Sequence, residues 1–242
     1  MKSLPALLFT LLSAGLAWAG DTLPELRIEK IADDVYLHTS FQQVEGYGLV
    51  DANGLVVLDG RDAYIIDTPW SQLDTQALVA WLQERDYKVK ASVSTHFHDD
   101  RTAGIEYLNS ISVPTYASEQ TNALLKKNGK ALATETFSEA PLWLVKDKIE
   151  VFYPGAGHSV DNLVVWLPEH KILNGGCFVR AEEAGTLGNT SDAVVADWAA
   201  SAERVQRRYP EAKIVIPGHG AMGDVSLLEH TRKLAAAATA KD

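Results

Sequence analysis

Thr95-His96-Phe97-His98-Asp99-Asp100-Arg101 sets two imidazoles at i and i+2 and a carboxylate at i+4, three zinc-competent side chains within a few residues of backbone. His-x-His also occurs by chance on solvated surfaces, so the surroundings of the other histidines and of the lone cysteine carry weight. His158 lies in Gly155-Ala156-Gly157-His158-Ser159, Cys177 in Gly175-Gly176-Cys177 and His219 in Pro217-Gly218-His219-Gly220. Glycine at these positions lets the backbone approach closely or take positive φ, as a tight ligand loop demands. His38, His170 and His230 lack such flanks and are assigned to structure or surface.

Working outward, each candidate follows a short apolar run. His96 comes after Val89–Val93, His158 after Lys148–Tyr153, Cys177 after Lys171–Asn174 and His219 after Lys213–Ile216. These runs read as strands, and sites on loops at strand ends are the usual arrangement on α/β scaffolds. Further strands are expected at Leu26–Ile31, Val35–His38, Gly54–Asp59, Ala63–Asp67 and Leu163–Leu167, with Pro168-Glu169-His170 as a turn. Helical spacing predicts helices over Asp74–Arg85, Thr102–Leu108, Ser118–Lys127, Val195–Arg208 and Ser226–Ala237. Strands flanked by helices in both halves imply a layered α/β sandwich.

Six candidate ligands exceed one tetrahedral zinc and suit two sites of three ligands, each open to solvent. Open positions imply catalysis, and three neutral imidazoles leave an ion Lewis-acidic enough to acidify its water without a separate general base.

The ends and the composition bound the setting. Lys2, an apolar run from Leu4 to Leu16 and Ala17-Trp18-Ala19 form a signal-peptide pattern, with cleavage expected after Ala19. The run is shorter than a membrane span, so the reading is a periplasmic protein that leaves the membrane after leader cleavage. Loss of the leader removes Lys2 from 22 Lys and Arg and leaves 32 Asp and Glu, for a formal charge of −11. That balance disfavours nucleic acid and anionic membranes as partners. With one cysteine, Cys177, no internal disulfide is possible. No linker, repeat or low-complexity tract divides residues 20–242, which are expected to form one domain and a monomer.

Longer matched stretches then identify a family. Phe97 to Gly104, Glu150-Val151-Phe152-Tyr153-Pro154-Gly155, Val164 to Glu169, Lys171-Ile172-Leu173, Gly175-Gly176-Cys177-Phe178 and Gly188-Asn189 resemble the metallo-β-lactamases of subclass B1, especially the imipenem-hydrolysing branch, over essentially the whole mature sequence. The resemblance implies an αββα sandwich with two zinc ions, one held by His96, His98 and His158, the other by Asp100, Cys177 and His219. It further implies attack of a metal-bound hydroxide on the lactam carbonyl of penicillins, cephalosporins and carbapenems, and hence antibiotic resistance.

Asp100 and Asn189 would then be catalytic, Asn189 near the carbonyl oxygen. Arg180 stands where the family commonly has Lys to meet the antibiotic carboxylate; the charge is kept, with a longer planar head. Phe41 to Tyr47 matches the family's mobile hairpin over the site, which makes Phe41 and Tyr47 expected substrate contacts. Arg101 and Asp67 are candidates for holding the ligands from behind, with an ordinary structural ion pair as the alternative.

Two other readings stay open. Hydrolases of the same fold act on thioesters, lactones or phosphoesters, although those relatives usually follow the aspartate with a histidine where this chain has Arg101. A zinc-binding periplasmic protein without turnover is the other.

Overall fold

In the computed structural model, which describes residues 23–138 and 141–240, apolar side chains alternate on two-sided strands. The expected leader, 1–19, lies outside those residues. The N-terminal half comprises β1 (Arg27–Ala32), β2 (Val35–Val44), β3 (Gly48–Asp59), β4 (Asp62–Ile66), α1 (Gln72–Gln83), β5 (Lys88–Val93), α2 (Asp99–Thr102), α3 (Ile105–Ser110), β6 (Thr115–Ser118), α4 (Glu119–Lys127) and β7 (Glu135–Phe137). Its seven strands form one sheet in sequence order, antiparallel from β1 to β4 and parallel from β4 to β7. The C-terminal half comprises β8 (Leu142–Val145), β9 (Ile149–Phe152), β10 (Val164–Leu167), β11 (Ile172–Gly176), α5 (Val195–Arg208), β12 (Ile214–Pro217) and α6 (Ser226–Thr239). Its sheet runs β12-β11-β10-β9-β8, with β11 and β12 parallel.

Period-two alternation decides the layers. Leu55, Val57 and Ile66 point to one side of the first sheet and meet Val151, Val165, Leu167, Ile172 and Ile216 of the second. Their neighbours Val56, Leu58 and Ile65 point the other way, onto Leu78, Val79 and Leu82 of α1 and Leu108 of α3. On the far side, Val164, Trp166, Leu173 and Val215 pack against Trp198, Ala202 and Val205 of α5 and Leu227 and Leu228 of α6. The order is helix, sheet, sheet, helix: the expected four-layer αββα sandwich. Each fully buried aliphatic side chain adds about 1.5–3 kcal/mol to this arrangement.

The structure differs from the sequence reading in places. The helix expected over Thr102–Leu108 is two, α2 and α3, because the chain bends at Gly104 against α1; a Cβ there would lie 2.4 Å from Thr75 Oγ1. Gly104 N instead donates to Thr68 Oγ1 at 2.9 Å. β2 and β3 run well past His38 and Gly54 as a long hairpin with its turn at residues 45–47. Strands β6, β7 and β8, of four, three and four residues, were not anticipated.

Candidate metal centre

At one end of the sandwich the loops that follow β5, β9, β11 and β12 converge, and each delivers a candidate ligand. His98 Nδ1 lies 3.0 Å from His96 Nε2 and 3.1 Å from His158 Nε2. Beside this imidazole triangle is a mixed one: Cys177 Sγ is 3.0 Å from Asp100 Oδ2 and 3.2 Å from His219 Nε2, which is 3.3 Å from Asp100 Oδ2. Asp100 joins the two, with Oδ1 3.9 Å from His96 Nε2. Ligands about 2.0–2.3 Å from a tetrahedral zinc stand roughly 3.3–3.7 Å apart, so both triangles have close to the spacing of a three-ligand face.

The protonation of these groups suits ligation. Burial, helped by the neighbouring imidazoles, pushes His96 well below the usual histidine range and His158 down to about 3, so both present lone pairs. Burial alone would raise Asp100, but the adjacent Arg101 guanidinium and His219 outweigh it and hold the carboxyl well below its usual value. For His219 burial is likewise opposed, here by Cys177 and Asp100, which raise the imidazole to about 10. Without a metal the mixed triangle thus keeps a proton on His219 beside the Asp100 carboxylate, a positive charge that a divalent ion would replace. Three imidazoles on one side and a carboxylate, a thiol and an imidazole on the other are donor sets that fit zinc.

Arg101 organises the floor. It is fully buried, and its guanidinium spans the gap between the sheets. Nε donates to Asp100 Oδ2 at 3.1 Å, Nη2 to Cys177 Sγ at 3.0 Å and to Gly218 O at 2.9 Å, and Nη1 to Asn53 O. Burial disfavours its charge, yet Cys177, Asp100 and Asp67 raise it further above its already high value. A Cβ on Gly218 would sit 2.5 Å from Cys177 N and 2.7 Å from Arg101 Nη2, so glycine is required for this approach.

Asp67, at the end of β4 with φ 60°, stands one step further back. Its Oδ1 accepts from Thr95 N at 2.7 Å and its Oδ2 from Thr95 Oγ1 at 3.0 Å, while Arg101 Nη1 lies 3.6 Å away. Burial lifts this carboxyl to about 6 against the pull of Arg101. His38 is neutral, pushed down to about 3 by burial, with Nε2 3.0 Å from the Asp67 carbonyl. His230 Nε2 lies 2.9 Å from the Ala184 carbonyl, and His170 sits in the β10–β11 turn. None of these three histidines joins the cluster.

Above the metal triangles opens a cleft of ≈ 380 Å³. It is lined by the apolar side chains of Val44, Tyr47, Val50 and Trp70, by Arg180, Gly188 and Asn189, and by Lys130, Asp99 and Asp192. Tyr47 is 59% exposed at the hairpin tip. Phe41 corrects the sequence reading: it does not line the cleft. Val44 and Phe41 are three residues apart on a period-two strand and so face opposite ways, and the Phe41 ring lies under the Arg27 guanidinium, 4.8 Å from its centroid.

Sequence reasoning missed Trp70, whose ring packs on that of His219 with centroids 5.7 Å apart. It also missed the backing of His219 by β3. Asn53 Nδ2 donates to Pro217 O at 3.1 Å and to Gly220 O at 2.8 Å, and both Asp51 carboxylate oxygens accept from Gly220 N at 3.1 Å. A third omission is Asp192, whose Oδ2 lies 3.0 Å from His98 Nε2. No local sequence signal singles these out, since each acts across a long sequence separation.

Comparison with known proteins places this geometry. Residues 47–219 match the metallo-β-lactamase superfamily. A metallo-β-lactamase type 2 of Pseudomonas aeruginosa is 55% identical over 213 residues, covering 88% of this chain and 85% of the relative. The crystal structure of the DIM-1 metallo-β-lactamase exposed to ceftazidime is 54% identical and superposes with a TM-score of 0.89, covering 90% of this chain and all of that one. The structure of TMB-1 is 51% identical, with a TM-score of 0.88 and coverage of 90% and 100%. Two donor triangles at strand ends, an αββα sandwich and these matches together establish that the chain belongs to the metallo-β-lactamase superfamily, in its B1 subclass.

Proposed function

We propose that this protein opens the ring of β-lactam antibiotics with two zinc ions, adding water across the lactam C–N bond and so conferring resistance. The observation that carries this reading is the pairing of two adjacent donor triangles with a cationic side chain: Arg180 lines the cleft above them, and its buried Nε has no hydrogen-bond partner among the described residues. His96, His98 and His158 would hold one ion and Asp100, Cys177 and His219 the other. When bound, these ions supply the Lewis acidity that acidifies water and polarises the lactam carbonyl.

The rest falls to the chain. Arg180 receives the carboxylate that these antibiotics carry, and the fork geometry of its guanidinium fixes orientation as well as charge. Asn189 Oδ1 already accepts from Ser191 N at 3.0 Å, so the donor it offers to the carbonyl oxygen is Nδ2. Asp100 Oδ2 is engaged by Arg101, Cys177 and His219, which leaves Oδ1, on the imidazole side, to orient the attacking water by accepting its hydrogen bond. Val44, Tyr47, Val50 and Trp70 cover the apolar face of the substrate and thin the water around it.

Arg101 disfavours the related hydrolase activities, because its side chain is wholly committed to Asp100, Cys177, Gly218 and Asn53 and cannot act as a ligand. The remainder of the reading is that residues 20–242 act as one domain and a monomer in the periplasm, free of the membrane once residues 1–19 are removed. Among the described residues, no helix is long and apolar enough to cross a membrane.

Substrate recognition supplies the test. Arg180→Ala is expected to lower kcat/KM for a cephalosporin roughly 10- to 100-fold, mostly through KM, the worth of a charge-assisted hydrogen bond of about 1.5–3 kcal/mol. For the methyl ester of the same cephalosporin, which lacks the carboxylate, wild type and variant should match. An equal loss on both substrates would show that Arg180 does not meet the carboxylate.

A further inference from the structure

We propose that Asp192 is a positioning residue that latches the Asn189 loop to the metal centre through His98, so that metal loading and the order of the substrate-binding loop are coupled. The inference rests on the reading of His98 as a metal ligand.

His98 differs from its two companions. It turns Nδ1 towards the triangle, whereas His96 and His158 turn Nε2. Its remote nitrogen, Nε2, meets Asp192 Oδ2 at 3.0 Å. A neutral imidazole carries one proton, and a carboxylate can only accept, so this contact keeps the proton on Nε2 and the lone pair on Nδ1, where a metal needs it. The side chain of His98 is 24% exposed, against 1% for His96. At that partly exposed position the ring would otherwise exchange tautomers with solvent, so the carboxylate has an alternative to select against.

The segment bearing Asp192 is also the segment that serves the substrate. Asn189 Oδ1 accepts from Ser191 N at 3.0 Å, which ties Asn189 to the turn beside Asp192. Two residues on, Val194 N donates to Gly157 O at 2.8 Å, next to His158. Trp198, one turn into α5, packs on the His158 ring with centroids 5.8 Å apart and donates from Nε1 to Phe178 O, next to Cys177, at 2.8 Å. Asn189, Thr190 and Ser191 are themselves exposed, so among the described residues Asp192 to His98 is the side-chain tie between this loop tip and the ligands. A cation on Nδ1 withdraws electrons from the ring and strengthens donation from Nε2 to Asp192. By linkage, whatever fixes the loop then favours the metal to the same degree.

The test uses the mature protein and two variants, Asp192→Ala and Asp192→Asn, with zinc affinity measured by competition against a chromophoric chelator. Asp192 is half-exposed, and equal thermal midpoints of the metal-free proteins would verify that folding is intact. Asp192→Ala should bind its tighter zinc about 10- to 100-fold more weakly, while Asp192→Asn, which keeps an acceptor oxygen, should recover most of that loss. Nitrogen NMR of His98 in the metal-free protein should show Nε2–H in wild type and a mixture of tautomers in Asp192→Ala. Zinc should slow amide exchange over residues 188–192 in wild type and not in Asp192→Ala. Wild-type affinity together with wild-type zinc-dependent protection in Asp192→Ala would overturn the latch and leave the ligand reading intact. Failure of wild type itself to bind zinc would overturn the ligand reading, and the latch with it.

Discussion

Arg101→Ala is expected to cost about 3–5 kcal/mol of stability in the metal-free protein, the typical result of removing one partner from a buried charge cluster. The magnitude follows from what is stranded. Asp100, Asp67 and Cys177 all face the guanidinium, and all are essentially inaccessible to water. Alanine would leave the buried Asp67 carboxyl without a counter-charge, leave Asp100 with His219 alone, and open a void the size of the side chain. It would also free the carbonyls of Asn53 and Gly218, which Arg101 ties to the site. Arg101→Lys should recover part of the loss only, since one ammonium cannot reach from Asn53 on the first sheet to Cys177 and Gly218 on the second. Denaturant unfolding of the three proteins without metal measures this, and a loss below about 1 kcal/mol for Arg101→Ala would refute the account of the cluster.

Cys177→Ser is the second large effect. A serine hydroxyl does not ionise near neutral pH and is a poorer zinc donor than a thiolate, so the mixed triangle loses its softest ligand while the imidazole triangle is untouched. Changes in groups that only support a ligand weaken binding about 10- to 100-fold, so loss of the ligand itself should exceed roughly 100-fold at that site. Equilibrium dialysis at limiting free zinc should therefore find about one ion per chain in the variant against about two in wild type, with turnover reduced. Two ions bound as tightly as in wild type would remove Cys177 from the ligand set.

The layers were legible because the strands are two-sided. Runs such as Gly54–Asp59 and Leu163–Leu167 place successive apolar residues on opposite faces, each with its own layer to cover. β6, β7 and β8 stayed hidden since three or four residues show too little periodicity to read. Within the site, His96, His98 and Asp100 were legible from their close spacing, and His158, Cys177 and His219 from glycine context at strand ends, because tight loops and close backbone approach are written locally. Phe41 was misplaced for the converse reason: which face of a hairpin looks at a cleft depends on register, and a residue three positions from Val44 necessarily looks away. Trp70, Asp192 and Asn53 support the site from distant segments, and nothing in their immediate sequence marks them.

The central claim is two-zinc hydrolysis of β-lactams, and one measurement addresses it most directly. The purified mature protein, loaded with zinc and its metal content counted, is assayed for ring opening across a penicillin, a cephalosporin, a carbapenem and a monobactam, with and without chelator. The expected result is about two zinc ions per chain, hydrolysis of the penicillin, cephalosporin and carbapenem, loss of activity on chelation and its return with added zinc. A zinc-loaded, folded sample that opens none of these rings would contradict it.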